Sequence, residues 1–143
     1  MRRQSAALLG AVAAVMAVGV APAASADQNG YNPESQTIRT AGNVRCVISA
    51  EKAACEQVAG FPAAPANQSG GHWQVASVDA DGKFSWAEPG IGGSGQEIVV
   101  VNGQPYRFHG WSVLMTIEGT RLTNDDSVHG MNVSVDGTTV TPY

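Results

Sequence analysis

Positive charge is scarce in this chain: 8 Lys and Arg stand against 12 Asp and Glu over 143 residues, a formal charge of −4. So little basic character removes the electrostatic footprint that non-specific nucleic-acid binding depends on, and no nucleic-acid partner is expected. Cysteine is limited to Cys46 and Cys55, too few for a four-cysteine zinc site, and His72, His109 and His129 lack zinc-ligand spacing. After Ala26 no stretch carries a helical apolar period, which argues against a helical bundle. No internal repeat is visible, so a solenoid is not indicated. Charged residues make up only 14% of the chain, but 43% is apolar and includes Trp73, Trp86 and Trp111, enough for a packed core rather than disorder.

At the N-terminus Arg2 and Arg3 precede an unbroken apolar run, Ala6–Pro22, and Ala24-Ser25-Ala26 follows as a small-x-small cleavage site. That order is the order of a secretory signal peptide, so Met1–Ala26 is expected to be removed and Asp27–Tyr143 to be one secreted domain. The run is rich in Ala and Gly and falls short of the roughly 20 strongly apolar residues of a membrane span, so no transmembrane anchor is expected after cleavage. Gln4-Ser5-Ala6 lacks the bulky residues of a twin-arginine signal. Cleavage removes two arginines and no acid, which leaves the secreted chain two units more acidic. A domain of this size buries roughly two thirds of its unfolded surface and is able to fold alone.

Outside the cytoplasm two cysteines are expected to pair. Folding Val44–Ser49 onto Ala53–Glu56 about Ala50-Glu51 sets Ile48 against Ala53, Val47 against Ala54, and Cys46 against Cys55, a cross-strand disulfide. A redox role is disfavoured because C-x-x-C spacing is absent. From residue 72 onward, β-branched and aromatic runs alternate with glycine turns about every ten residues, the pattern of an all-β sandwich or barrel. Four hairpins are read besides the cysteine one. His72–Val78 and Lys83–Glu88 flank Asp79–Gly82, with Ala76, Val78, Phe84 and Trp86 on the core face. Glu97–Val101 and Gln104–Phe108 flank Asn102-Gly103, a preferred type I′ pair. Trp111–Ile117 and Thr120–Thr123 flank Glu118-Gly119, and Met131–Val135 and Thr138–Thr141 flank Asp136-Gly137. The expected fold is therefore a small antiparallel sandwich or barrel of about eight to ten strands with one disulfide. Gly60–Gly71 and Pro89–Gly95 interrupt the strands as loops of the kind that carry binding function.

Several patterns for chemistry are incomplete. Asp79-x-Asp81-Gly82 opens like a calcium loop, but Gly90 stands where the bidentate Glu would be. Tyr106 and His109 are haem-ligand types, but positions three apart on a strand face opposite ways. Gly92-Gly93-Ser94-Gly95-Gln96 misses the last glycine of a nucleophile elbow and precedes a strand. Asn67-Gln68-Ser69 and Asn132-Val133-Ser134 fit the glycosylation sequon. The densest polar cluster is Asn124-Asp125-Asp126-Ser127-Val128-His129, with two carboxylates and an imidazole within five residues and Arg121 as the nearest cation in sequence. It is suited to an acid/base pair or a metal, or else to an Asn/Asp turn held by its own side-chain hydrogen bonds. Trp73 falls off the predicted core face and is a candidate for an exposed binding patch.

Gly42-Asn43-Val44-Arg45-Cys46-Val47-Ile48 with Ala54-Cys55-Glu56 resembles the opening of small exported proteins of mycobacteria and related actinobacteria. Tyr106–Trp111, Gly119–Asn124 and His129-Gly130-Met131 resemble the C-terminal half of the same proteins. The resemblance covers most of residues 37–135. It implies an exported, disulfide-bonded protein with no catalytic residue to carry over. The sequence therefore points to a non-enzymatic binding domain of the cell envelope or exterior, without cofactor or metal. Its candidate binding residues are Arg121, Asn124, Asp125, Asp126, His129 and Trp73. A hydrolase using Asp125, Asp126 and His129, and an enzyme inhibitor by fold analogy, are the alternatives.

Overall fold

The computed structural model describes residues 34–93 and 95–143; the expected leader Met1–Ala26 lies outside the described residues. Among the described residues the chain is all β apart from one 3-10 turn at Ala41–Asn43. Five strands run as an antiparallel meander: β1 (Ser35–Arg39), β2 (Arg45–Ser49), β3 (Lys52–Glu56), β4 (Val75–Asp79) and β5 (Phe84–Ala87). A two-residue strand, β6 (Ile98–Val99), joins the open side of β1 in parallel and completes a six-stranded sheet. A second meander forms a five-stranded sheet: β7 (Pro105–Phe108), β8 (Trp111–Thr116), β9 (Gly119–Asn124), β10 (Gly130–Val133) and β11 (Val140–Pro142).

Eleven strands exceed the expected eight to ten, and the barrel alternative is corrected. No ladder joins β5 or β6 to β7 or β11, so the two sheets stay separate and face each other as a sandwich. Period-2 alternation aims Ile38, Cys46, Ile48, Cys55, Ala76 and Val78 at Trp111, Val113, Leu122, Met131 and Val133 of the other sheet, all of them buried. Phe84 and Trp86 pack against this core opposite Val78 and Ala76, on the face read from the sequence.

The cysteine hairpin has the expected register, with Cys46 opposite Cys55, Val47 opposite Ala54 and Ile48 opposite Ala53. The two Cα atoms lie 4.0 Å apart and the sulfurs are bonded, with both cysteines fully buried. Closing so short a loop stabilises the fold by about 2.5–3 kcal/mol through the unfolded chain. Replacing both cysteines by alanine should lower stability by at least that amount in denaturant titration. Reducing agent should then have no further effect on the variant.

The Asn102-Gly103 hairpin is a correction. Its two arms part company, because Ile98–Val99 pairs with β1 while Pro105–Phe108 pairs with β8. Gly103 has φ +79° but Asn102 does not share the positive φ, and the Gln104 amide donates to Val101 O. That is the pattern of a type II corner, not of type I′. It turns the chain from one sheet to the other, with Val100 buried at the crossing. The β8–β9 hairpin forms with its loop one residue early, at Ile117-Glu118, and the β10–β11 hairpin forms with a wider loop than Asp136-Gly137 alone.

The link from β5 to β6 shapes the outer surface. These strands lie at opposite edges of the six-stranded sheet, about 24 Å apart at the usual strand spacing. The described residues of this link, 88–93 and 95–97, therefore lie over its outer face as a strap. Arg45 donates to the carbonyls of Gly92 and Gly93, Glu56 accepts from the Gly90 amide at 3.0 Å, and Gln36 donates to Gln96 O at 3.0 Å. Glycine is required at 93, where φ is +79° and a Cβ would meet the Thr37 hydroxyl at 2.7 Å.

The far end of the strap is fixed by a bidentate pair, Arg39 Nε and Nη2 donating to Glu97 at 2.8 and 2.9 Å. The Arg39 hydrogen bonds hold the Glu97 carboxyl below the usual carboxylate range. A carboxyl lowered on folding adds stability above its unfolded pKa, and that stability is lost as pH falls through the lowered value. At pH 7, Glu97→Gln should cost about 0.5–1 kcal/mol, the upper range for a half-exposed pair. The difference from wild type should vanish toward pH 3 in a pH series of melting curves.

Candidate functional site

The polar cluster forms the β9–β10 turn, and most of its groups are committed to that turn. Asn124 is 5% exposed, and its Oδ1 accepts from the amides of Asp126 and Ser127 at 3.1 and 3.0 Å and from the Ser127 hydroxyl. This is an Asx turn, the local alternative that asparagine offers to a strand ladder. Asp125 accepts from the Ser112 hydroxyl across the sheet. Asp126 is exposed on the turn. His129 Nδ1 lies 3.2 Å from Tyr143 O, and the ring sits against Gly82, where a Cβ would come within 2.5 Å of its Cγ. Thus His129 packs the end of one sheet against the Asp79–Gly82 turn of the other. Among the described residues no three His, Cys, Asp or Glu are grouped to hold a metal.

Arg121 does not pair with the cluster's carboxylates. It points out from β9, with its guanidinium 4.7 Å above the Tyr143 ring, a cation–π contact. The Tyr143 hydroxyl lies 2.6 Å from Thr123 Oγ1. Trp73 requires a correction: it is half-buried and packs against the core, and its carbonyl accepts from the Phe61 amide at 3.0 Å. The alternation that places Trp73 off the core face assumes that the strand starts at His72, whereas β4 begins at Val75. The structure therefore gathers Asn124, Asp125, Asp126 and His129 around one turn, sets Arg121 on the sheet beside it, and puts Trp73 elsewhere.

Asp79, the first residue of the calcium-like pattern, is likewise spent on its turn, with Oδ1 accepting from the Asp81 and Lys83 amides at 3.0 and 2.8 Å. His109 leaves the strand at φ +50°, and Tyr106 lies on β7 with its hydroxyl accepting from the Val101 amide.

A cavity lies under the strap. One row of outward residues runs Val47, Ala54, Ser77, Ser85 across β2 to β5, and a second ends in Val75 and Ala87. Val47, Ala54, Ser77, Ser85, Val75 and Ala87 are no larger than valine, so the sheet face is hollow there. Glu88, Gly90 and Ile91 of the strap form the wall, and Ser49 and Lys52 stand at the far end, enclosing about 210 Å³. Val47, Ala54 and Val75 are 8%, 5% and 2% exposed although they point away from the core, because the strap and neighbouring side chains cover them. Ser77 and Ser85 face each other across β4 and β5, and both residues line the space. The site is mostly apolar with a few polar groups, the usual make-up of a small-ligand pocket, and lies below the roughly 300–1,000 Å³ of drug-sized sites.

Next to the cavity, directly under Gly93, the Thr37 hydroxyl is buried with no hydrogen-bond partner.

No family model, curated protein or solved structure matches the chain. The cavity residues escape a reading by motif because they come from four strands and a loop. One signal was available: Cys46-Val47-Ile48 and Ala53-Ala54-Cys55 are unbroken apolar runs, and such runs mark strands covered on both faces.

Proposed function

We propose that this chain is an exported, non-enzymatic binding domain, akin to the small exported proteins of mycobacteria and related actinobacteria, that takes a small ligand between its six-stranded sheet and the Gly90–Gly93 part of the strap. The observation that carries this reading is the cavity itself, where Val47, Ala54, Ser77 and Ser85 leave room that no side chain of the fold fills. The polar turn supports the same reading from the other side. Asn124, Asp125 and His129 are bonded to Ser127, Ser112 and Tyr143 respectively, so their first role is to shape the β9–β10 turn.

The test is a melting-temperature screen of small amphipathic compounds against the oxidised protein and its Ser77→Phe variant. Phenylalanine suits a strand, and at a half-exposed position on the outer face it fills the cavity without entering the core. A compound at 100 times its dissociation constant adds about 2.7 kcal/mol, a shift the melting curve reports. Hits should stabilise wild type and lose their effect in Ser77→Phe. Hits that act equally on both proteins would place binding elsewhere.

A further inference from the structure

Resting on that reading, we propose that the ligand is a slender monocarboxylate whose acid group sits at Lys52 and whose apolar body lies over Val47, Ala54 and Val75. The two ends of the cavity are electrically different. Lys52 stands at the end beside the β2–β3 turn, and Glu88 follows β5 at the other end. Asp79 is the register partner of Lys52 on β4, and Val75 marks the opposite end of that strand. Four residues along a strand separate the two ends by about 13–14 Å.

Lys52 lines the cavity, and no carboxylate among the described residues forms an ion pair with it. Asp79, directly across the ladder, has turned its carboxylate onto the Asp81 and Lys83 amides. Between the two charged ends the floor is Val47, Ala54, Val75 and Ala87, with Ile91 on the wall, and Ser77 and Ser85 are its only polar interruption. A carboxylate entering this space gains a charge-assisted bond at Lys52 and is repelled at Glu88, so one orientation is favoured. An amine would meet the reverse field, and a dianion would set one charge against Glu88. Small floor side chains under a glycine strap fit an unbranched chain better than a bulky ring system.

The probes are the straight-chain acids from butyrate to decanoate with their neutral amides, titrated by calorimetry into the oxidised wild type, Lys52→Met and Glu88→Gln. Lys52 is exposed, and methionine keeps its unbranched stem, so the variant should fold as wild type does. The inference expects at least one acid to bind wild type about tenfold more tightly than its amide, the worth of one charge-assisted contact. Lys52→Met should erase that difference, and Glu88→Gln should leave or strengthen acid binding. Acid and amide binding equally, with both lost in Ser77→Phe, would overturn the carboxylate assignment and leave the cavity reading standing. An acid preference that survives Lys52→Met would move the acid group elsewhere and overturn the assignment. Absence of binding by every acid would overturn it too, and the neutral compounds of the melting screen would then judge the cavity by themselves.

Discussion

Trp111→Ala should lower stability by about 3–5 kcal/mol, the cost of emptying a large aromatic site in a core that cannot fully collapse around it. Trp111 is the largest fully buried side chain of the described residues, at the start of β8 and opposite Asn124 of β9. Gly110, at φ +83°, turns the chain so that the indole enters between the sheets. No protein group accepts from the indole Nε1, so packing is the main source of its stabilisation. Trp111→Phe should therefore cost distinctly less than the alanine variant, because it removes an unsatisfied donor along with part of the volume. Denaturant titration of the two variants separates these contributions. If phenylalanine proves as costly as alanine, the indole N–H has a partner such as a buried water, and the packing account of this site fails.

Phe61→Ala should cost a similar 3–5 kcal/mol, although Phe61 lies in a loop. Its side chain is fully buried, with the ring centroid 5.8 Å from that of Trp86. Its amide donates to Trp73 O, and its carbonyl accepts from the Ala64 amide at 2.9 Å. Within the segment from residue 57 to residue 73, Phe61 is the largest fully buried side chain, with Ala64 and Trp73 packed beside it. In a domain of this size each kcal/mol moves the melting temperature by about 4–8 °C, so the variant should melt at least 12 °C lower. Limited proteolysis should also cut it first between Pro62 and Gly71. A loss below about 1 kcal/mol would show that Phe61 only covers the core and does not hold it, judged against the usual spread of core substitutions.

Local chemistry was legible wherever neighbours in sequence are neighbours in space. The disulfide register, the Asp79–Gly82 turn and the core face of β4 and β5 follow from alternation and turn residues alone. Asn102-Gly103 shows the limit of such reading. The same dipeptide serves a hairpin or a corner between sheets, and the choice rests on whether Ile98–Val99 gains more beside β1 than beside β7. That parallel pairing links Ile38 to Ile98, so no local pattern reports it. Trp73 departs from its expected face for a related reason: the irregular stretch before Val75 breaks the alternation that assigns faces. The polar turn is visible in sequence as a cluster, but its bonding is not, because an asparagine that caps a turn and one that binds a ligand look alike in sequence. The cavity was the least legible feature, since alanine, serine and valine carry no motif and meet only after four strands have paired.

Ligand binding at the strap-covered face of the six-stranded sheet is open to amide chemical-shift mapping of the oxidised, isotope-labelled protein with a library of small amphipathic fragments. Shifts should gather on Val47, Ala54, Ser77, Ser85 and the strap residues Gly90 to Gly93, with Lys52 following for the acids. Shifts gathered instead on Arg121, Asn124, Asp125 and His129, with the strap unmoved, would place binding at the polar turn and rule out the strap site.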